Sequence, residues 1–450
     1  MLKKIKRLLK NVISTLPGGW WIIATYKKLG LLKRRLLVKY RTSSNADWLP
    51  NSESVFWIDP RRITMHTNYL KNGNVKPFKD RVFDPLLDKG KVYAGDWDVT
   101  SYKFSDLKVY KALYARINKT EEWRETDYYQ DMLGRIESGT ESWGCGTKED
   151  LDKRCSYLDD LINSIKEKGY KLNHTIKLES EDVSMHSKDP DLSEEVSVNI
   201  SRNGEYLFQD GRHRLAIAQI LNIKKIPVKV LVRHKKWAEF RQFIYSMIEG
   251  DGGGSKAGAL YQIAIHPDLL DIPASHGCED RFNAINKNLI KRDGTVLDVG
   301  ANLGYFCHKL EDIGFQCYAV EHLPDIAMAA DKLRESEGKS FRVLTGDLYN
   351  LAYKTPLKDK KFDVVLLLSV LHHSLKRKED YLRLITWLKT LDADEIFFEP
   401  HNSDEAQMKT AYKNYNEDDF VQFILDNTTL NNATKIHKCD DGRNVYHLVR

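Results

Sequence analysis

Residues 296–306 read Val-Leu-Asp-Val-Gly-Ala-Asn-Leu-Gly-Tyr-Phe, and no other stretch constrains this 450-residue chain as strongly. The pattern predicts a short apolar strand over Leu297 to Val299, a glycine-bounded turn from Gly300 to Gly304, and a helix opening at Tyr305. A glycine at each end lets the backbone bend tightly and approach a flat ligand without a Cβ in the way. In open α/β sheets such a turn sits at the carboxyl end of the first strand, where nucleotide-like ligands dock. The spacing is Gly-x-x-x-Gly, not the Gly-x-Gly-x-x-Gly that brings a helix N-terminus onto a pyrophosphate. A ligand without phosphates suits it better.

The downstream order extends the pattern. Cys317 to Val320 read as a second strand ending in Glu321, whose carboxylate is placed to bind both hydroxyls of a ribose. Phe341 to Leu344 read as a third, followed by Gly346-Asp347, a polar contact for a base. The apolar run Phe362 to Leu368 is expected of a strand buried on both faces. It ends in Ser369-Val370-Leu371-His372-His373, and Glu395 to Phe398 form a fifth strand closing on Glu399-Pro400-His401. Two β-prone runs around Asp440-Asp441-Gly442 read as a closing hairpin. This series resembles the class I S-adenosylmethionine (SAM)-dependent methyltransferases over residues 260–450. The resemblance implies a Rossmann-like, seven-stranded α/β fold. It also implies SAM contacts from Asp298, Gly300, Asn302, Gly304, Glu321, Asp347 and Ser369. By position, His372, His373 and Glu399 are the catalytic candidates. A histidine with a pKa near 7 suits a general base for a hydroxyl acceptor; a histidine capping the following helix is the structural alternative. Tyr261, His266 and Arg281, ahead of the first strand, are candidates to close over the cofactor.

Length allows two or three domains. With 42% hydrophobic and 30% charged residues, the composition is that of a globular protein. The six cysteines form no Cys-x-x-Cys pair, which argues against a disulfide framework or a zinc site and for a reducing, cytoplasmic setting. No run reads as a signal peptide or a membrane span. Net charge is +6, yet residues 1–45 carry twelve Lys and Arg and no acid, leaving the remainder at −6. In that head, Leu2, Ile5, Leu8, Leu9, Val12, Ile13 and Leu16 recur at helical spacing ahead of Trp20-Trp21. A basic amphipathic helix followed by tryptophans fits a segment lying on the inner face of a membrane through residues 1–40. A helix packed on its own domain fits the periodicity equally. Nucleic acid is disfavoured as a partner, because no second basic surface extends the footprint.

Residues 46–245 read as a separate α+β unit, and the glycine-rich stretch in 246–259 as a linker. Strands are expected at Ser54 to Asp59, Glu195 to Ile200 and Tyr206 to Phe208, with a helix over Leu151 to Gly169. Asp210-Gly211-Arg212-His213-Arg214 then opens directly into a helix, and Ile226-Pro227-Val228 begins a strand. This arrangement resembles the ParB/sulfiredoxin-like fold, in which the turn holds nucleotide phosphates. The resemblance makes Gly211, Arg212, His213 and Arg214 phosphate contacts for ATP or CTP. Asp96 and Asp98, as Asp-x-Asp, are candidate ligands for Mg2+. The sulfiredoxin cysteine is missing, since Arg212 precedes His213-Arg214, and no helix-turn-helix region follows.

Three functions fit. One is a bifunctional enzyme of polysaccharide synthesis, its middle domain a kinase and its C-terminal domain methylating a glycan hydroxyl or phosphate, free or lipid-linked. In the second the middle domain only senses nucleotide or recruits substrate. The third is a nucleic-acid-binding regulator with a vestigial methyltransferase fold.

Overall fold

The computed structural model describes residues 48–67, 69–71, 74–76, 83–85, 87–139, 145–172, 195–249, 258–354 and 356–450. The basic head 1–45 and most of the expected linker lie outside them. The chain divides into two compact units, Met1–Glu239 and Phe240–Arg450. The division precedes the glycine-rich stretch because the end of a helix belongs to the second unit: buried Arg241 forks onto the Asp271 carboxylate at 2.9 and 2.5 Å.

In the first unit the strands are β1 (Val55–Ile58), β2 (Met65–His66), β3 (Tyr69–Lys71), β4 (Asn74–Lys76), β5 (Lys91–Tyr93), β6 (Val196–Ile200), β7 (Tyr206–Asp210) and β8 (Ile226–His234). Its helices are α1 (Lys108–Lys119), α2 (Asp127–Glu137), α3 (Lys148–Lys168) and α4 (Arg212–Ile220); α5 (Lys235–Ser246) runs across the division. Six strands make a mixed sheet in the order β1-β8-β6-β7-β2, with β5 added on β8, while β3 and β4 pair separately. Central β6 is buried throughout, so its one amide must be satisfied internally. Asn199 donates to Thr67 and Gln209 at 2.8 Å and accepts from the Val232 amide at 3.2 Å, tying three strands together.

The second unit comprises α6 (Cys278–Asn288), β9 (Gly294–Val299), α7 (Tyr305–Glu311), β10 (Phe315–Glu321), α8 (Pro324–Ser336), β11 (Arg342–Thr345), α9 (Leu348–Leu351), β12 (Phe362–Leu368), α10 (His372–Leu375), α11 (Lys378–Thr390), β13 (Ala393–Glu399), α12 (Glu417–Asp426), β14 (Asn432–Lys438) and β15 (Asn444–Val449). The seven strands run in the order β11-β10-β9-β12-β13-β15-β14. The first five are parallel, and β15 and β14 close the sheet as an antiparallel hairpin. Because successive strand residues point to opposite faces, neighbours feed two cores. Leu367 and Phe398 join Trp387 and Phe420 on one face, whereas Leu366 and Phe397 join Phe306 and Ile285 on the other. The sequence-expected strands all appear, most lengthened by a few residues. With both faces covered, the edge at the carboxyl ends of β9 to β13 is where this fold leaves an open crevice.

Candidate functional site

A cavity of about 950 Å³ opens at that edge. On one side it is lined by Gly300, Asn302, Glu321 and Asp347, and on the other by Tyr261, His372, Asn402, Glu405 and Arg443. Three residues of the β9–α7 turn take left-handed backbone: Gly300 at φ 72°, Asn302 at φ 51° and Gly304 at φ 78°. At Gly300 the glycine answers to the protein as well as to a ligand, since a Cβ there would lie 2.6 Å from Val370 Cγ2. Glu321 ends β10, and its two oxygens accept from the Asn302 and Leu323 amides, each at 2.9 Å. Each oxygen keeps lone-pair capacity toward the cavity.

Asp347 also lines the cavity, but it has structural work: it caps α9 through the Asn350 amide at 3.0 Å and receives both Arg383 nitrogens at 3.1 and 2.7 Å. Asp298 sits behind the turn. Burial pushes its carboxyl up to about 7 despite a Cys307 thiol donating to it, and the nearby Glu321 charge adds to the shift.

At the far wall, Ser369 is left-handed at φ 52°. Its hydroxyl donates to Glu399 and accepts from Arg443 Nη1 at 2.8 Å. Glu399 is no exposed acid or base. Arg281 closes on both of its oxygens, Nε at 2.5 Å and Nη2 at 3.3 Å, with the pair almost wholly buried. The catalytic role expected of Glu399 therefore gives way to an ion pair that holds the wall. Arg281 stands behind that wall, and His266 is buried in a Pro267–Leu269 turn, where it accepts from the Asp268 amide at 3.1 Å; only Tyr261 of that trio reaches the cavity.

The histidines also depart from expectation. Burial, with the neighbouring His373 and His401, depresses His372 to about 3. His373 is lowered too, by burial and Lys376. His372 thus lacks the pKa near 7 of a tuned base, and His373 is shifted in the same direction.

The residues that sequence reasoning missed are Glu405, Asn402 and Arg443. Arg443 Nη2 reaches Glu405 at 2.7 Å, and although burial opposes ionisation, bonds from Gln407 and Arg443 hold Glu405 at about 2. The available signal is the charged hairpin turn Asp440 to Arg443, whose sequence announces a bend and not what its arginine reaches.

In the first unit, Gly211 takes φ 90° with Val196 Cα 3.0 Å from where a Cβ would stand, so the turn into α4 demands glycine. Arg214 is committed elsewhere: it pairs with Glu195 at 3.1 Å, donates to the Lys171 carbonyl and lies over the Tyr170 ring. His213, with a pKa held well down by burial and by Arg212 and Arg154, meets the Tyr128 hydroxyl at 3.4 Å. Asp96 and Asp98 do not present an open pair to a cation. The Arg202 guanidinium bridges them at 2.8 and 2.7 Å, a clamp that replaces the expected magnesium site.

Residues 297–388 match the family model described as a methyltransferase domain. A search of curated proteins finds no match. Among solved structures the chain is similar to the bifunctional kinase-methyltransferase WbdD, at 17% identity over 46% of this chain and 45% of that one, TM-score 0.35. It is similar to the PH0226 protein of Pyrococcus horikoshii OT3 at 16% identity over 39% and 92%, TM-score 0.31. A SAM-dependent methyltransferase from Aquifex aeolicus aligns at 18% identity over 38% and 89%, TM-score 0.29. The chain spans less than half the length of WbdD. The match to a methyltransferase domain thus falls within the second unit, and the cavity lies at the carboxyl edge of its sheet.

Proposed function

We propose that the second unit transfers the methyl group of SAM to an anionic oxygen, a phosphate on a glycan or lipid-linked glycan. The cavity carries this reading. Its lining combines Gly300 and Asn302 of the turn after β9, Glu321 at the end of β10, and Arg443 just ahead of β15. When bound, SAM supplies the electrophilic methyl, and the protein contributes alignment. Glu321 would take the ribose hydroxyls, and the left-handed turn would let the backbone lie against the cofactor. Arg443 and Arg377, both on the cavity wall, would receive the acceptor's charge. A phosphomonoester is largely dianionic at pH 7 and needs no base to become a nucleophile. That suits a site whose His372 is depressed to about 3. A glycan hydroxyl is the second reading; it requires a base, for which His373 is the nearest candidate. Calorimetric titration with SAM tests the donor site. Turnover of His372→Asn and His373→Asn tests the acceptor: near-wild-type rates support phosphate, and a loss of about 100-fold or more supports a hydroxyl.

For the first unit we infer nucleotide binding at the Gly211 turn, with Arg212 as the side-chain contact and phosphoryl transfer as its use. Support comes from the glycine-requiring turn at the N-terminus of α4, where the helix dipole favours anions. No thermal shift with millimolar ATP or CTP and Mg2+ would remove this reading. Among the described residues no helix is long and apolar enough to cross a membrane. Peripheral contact through residues 1–40 is proposed from their charge pattern, and sedimentation with anionic vesicles tests it.

A further inference from the structure

Outside the cavity, the N-terminal turn of α6 and the end of β14 bring together three side chains of different donor type. Asp280 Oδ2 lies 3.0 Å from His437 Nε2. Cys439, two residues on from His437, is buried at 3% exposure. The three donor atoms all lie within 4.8 Å of one another. A register shift between Lys435 and His437 in the β14–β15 pairing precedes the pair. Such irregularities re-aim side chains.

We propose that Asp280, His437 and Cys439 bind a borderline-soft divalent cation of the zinc type, which pins α6 to the closing hairpin. Thiolate, imidazole and carboxylate are the donors such an ion accepts, at about 2.0–2.3 Å, and water can fill a fourth, tetrahedral position. Around an ion of that kind the donors stand roughly 3.5 Å apart, so separations of up to 4.8 Å here close by about 1 Å while Asp280 and His437, at 3.0 Å, open slightly.

Two further observations favour a cation. Asp280 Oδ1 is buried with no hydrogen-bond partner among the described residues, so the carboxylate keeps an unused acceptor. The local charge is also out of balance. Near Asp280, the carboxylates Glu399, Asp441 and Glu405 share Arg281 and Arg443, through contacts of 3.0 Å (Arg281–Asp441), 3.7 Å (Arg443–Glu399) and 2.7 Å (Arg443–Glu405), and Cys439 Sγ lies 3.7 Å from Glu399 Oε2. With Asp280, the carboxylates outnumber the two guanidiniums and leave a negative surplus, and a thiolate would add to it. A dication neutralises both.

Without metal a cysteine thiol is largely protonated at neutral pH. Binding replaces the S–H bond by a metal–sulfur bond and releases that proton to solvent, with no change of oxidation state. The site touches the cavity indirectly, since Arg281 on α6 and Asp441 in the hairpin brace Glu399 and, through it, Ser369. The role assigned to the ion is to stiffen that wall, and it stands whether or not methyl transfer is the activity.

Cobalt(II) serves as the probe on the full chain after removal of metal by a chelator. Wild type should show a thiolate-to-cobalt charge-transfer band in the near ultraviolet, bleached by stoichiometric Zn2+, with proton release in weakly buffered solution. Cys439→Ser should lose the band, and His437→Gln and Asp280→Asn should weaken Zn2+ binding by about tenfold or more. Zn2+ should raise the melting temperature of wild type and not of Cys439→Ser. If Cys439→Ser does not fold, His437→Gln carries the same comparison from a half-exposed position. A missing band in wild type, or one undiminished in these variants, overturns the proposal.

Discussion

At the residue scale, Gly300 and Glu321 carry structural constraints that their motif does not announce. The sequence spacing marks Gly300 as a place of close approach, which the structure supplies from within, through Val370 Cγ2 at 2.6 Å from a would-be Cβ. Gly300→Ala should therefore destabilise the unit by about 1–2 kcal/mol from the left-handed backbone alone, with the clash added. Val370→Ala in the same chain should recover the clash and leave the backbone cost, so two melting curves separate the terms. Gly300→Ala should also weaken SAM, measured by calorimetry, because a shifted turn no longer lies where the cofactor must rest. Glu321 was legible as a carboxylate ending the second strand, but its two amide bonds were not: the Asn302 partner comes from another strand's turn. Glu321→Ala should cost SAM about 1.5–3 kcal/mol, the range for hydrogen bonds to a charged group. Glu321→Gln should retain part of that. A loss confined to turnover would move Glu321 to the acceptor side.

At the scale of elements, strands and turns were legible because each carries its own signal. Phe362 to Leu368 is an unbroken apolar run, and Asp440-Asp441-Gly442 is a turn between two β-prone runs. What those elements carry to one place was not legible. Arg281 on α6 and Glu399 at the end of β13 are 118 residues apart in sequence, and nothing local to either announces the other. Sequence position alone made Glu399 an acid/base candidate; burial and the fork of Arg281 make it a hub. Removing one partner of such a pair leaves a buried, uncompensated charge. Arg281→Ala should destabilise the second unit by about 3–5 kcal/mol in chemical denaturation. Replacing both, as Arg281→Met with Glu399→Leu, should recover much of that stability. The double variant should still bind SAM poorly or turn over slowly, because Ser369 and Arg443 lose the carboxylate they share. Equal stability losses in single and double variants would mean the pair is not the hub described.

Across the whole molecule, both units store depressed histidines, which makes one property common to them. Burial lowers His66 and His213 in the first unit, and His276, His372, His373 and His401 in the second. In the unfolded chain each titrates near its ordinary value of about 6.5. Below that pH the unfolded state gains protons that the folded state refuses, so stability is full above about 6.5 and falls as pH drops toward the folded pKa values. For His372 that window reaches down to about 3. Asp298 acts in the opposite sense: raised to about 7, it holds a proton in the folded state that the unfolded chain has lost, and so favours folding toward acid. Among the described residues one such carboxyl opposes six histidines, so the histidines decide the sign. Melting temperature should therefore decline steadily from pH 7 to pH 5, before ordinary carboxylates titrate. Glu405, held at about 2, and the lowered Asp98 and Asp441 add their own losses only as pH falls through about 4 and below. His372→Asn should flatten the upper part of the profile, since it removes a histidine depressed to about 3. A melting temperature that stays level between pH 7 and pH 5 would show that these histidines take up protons without unfolding the chain.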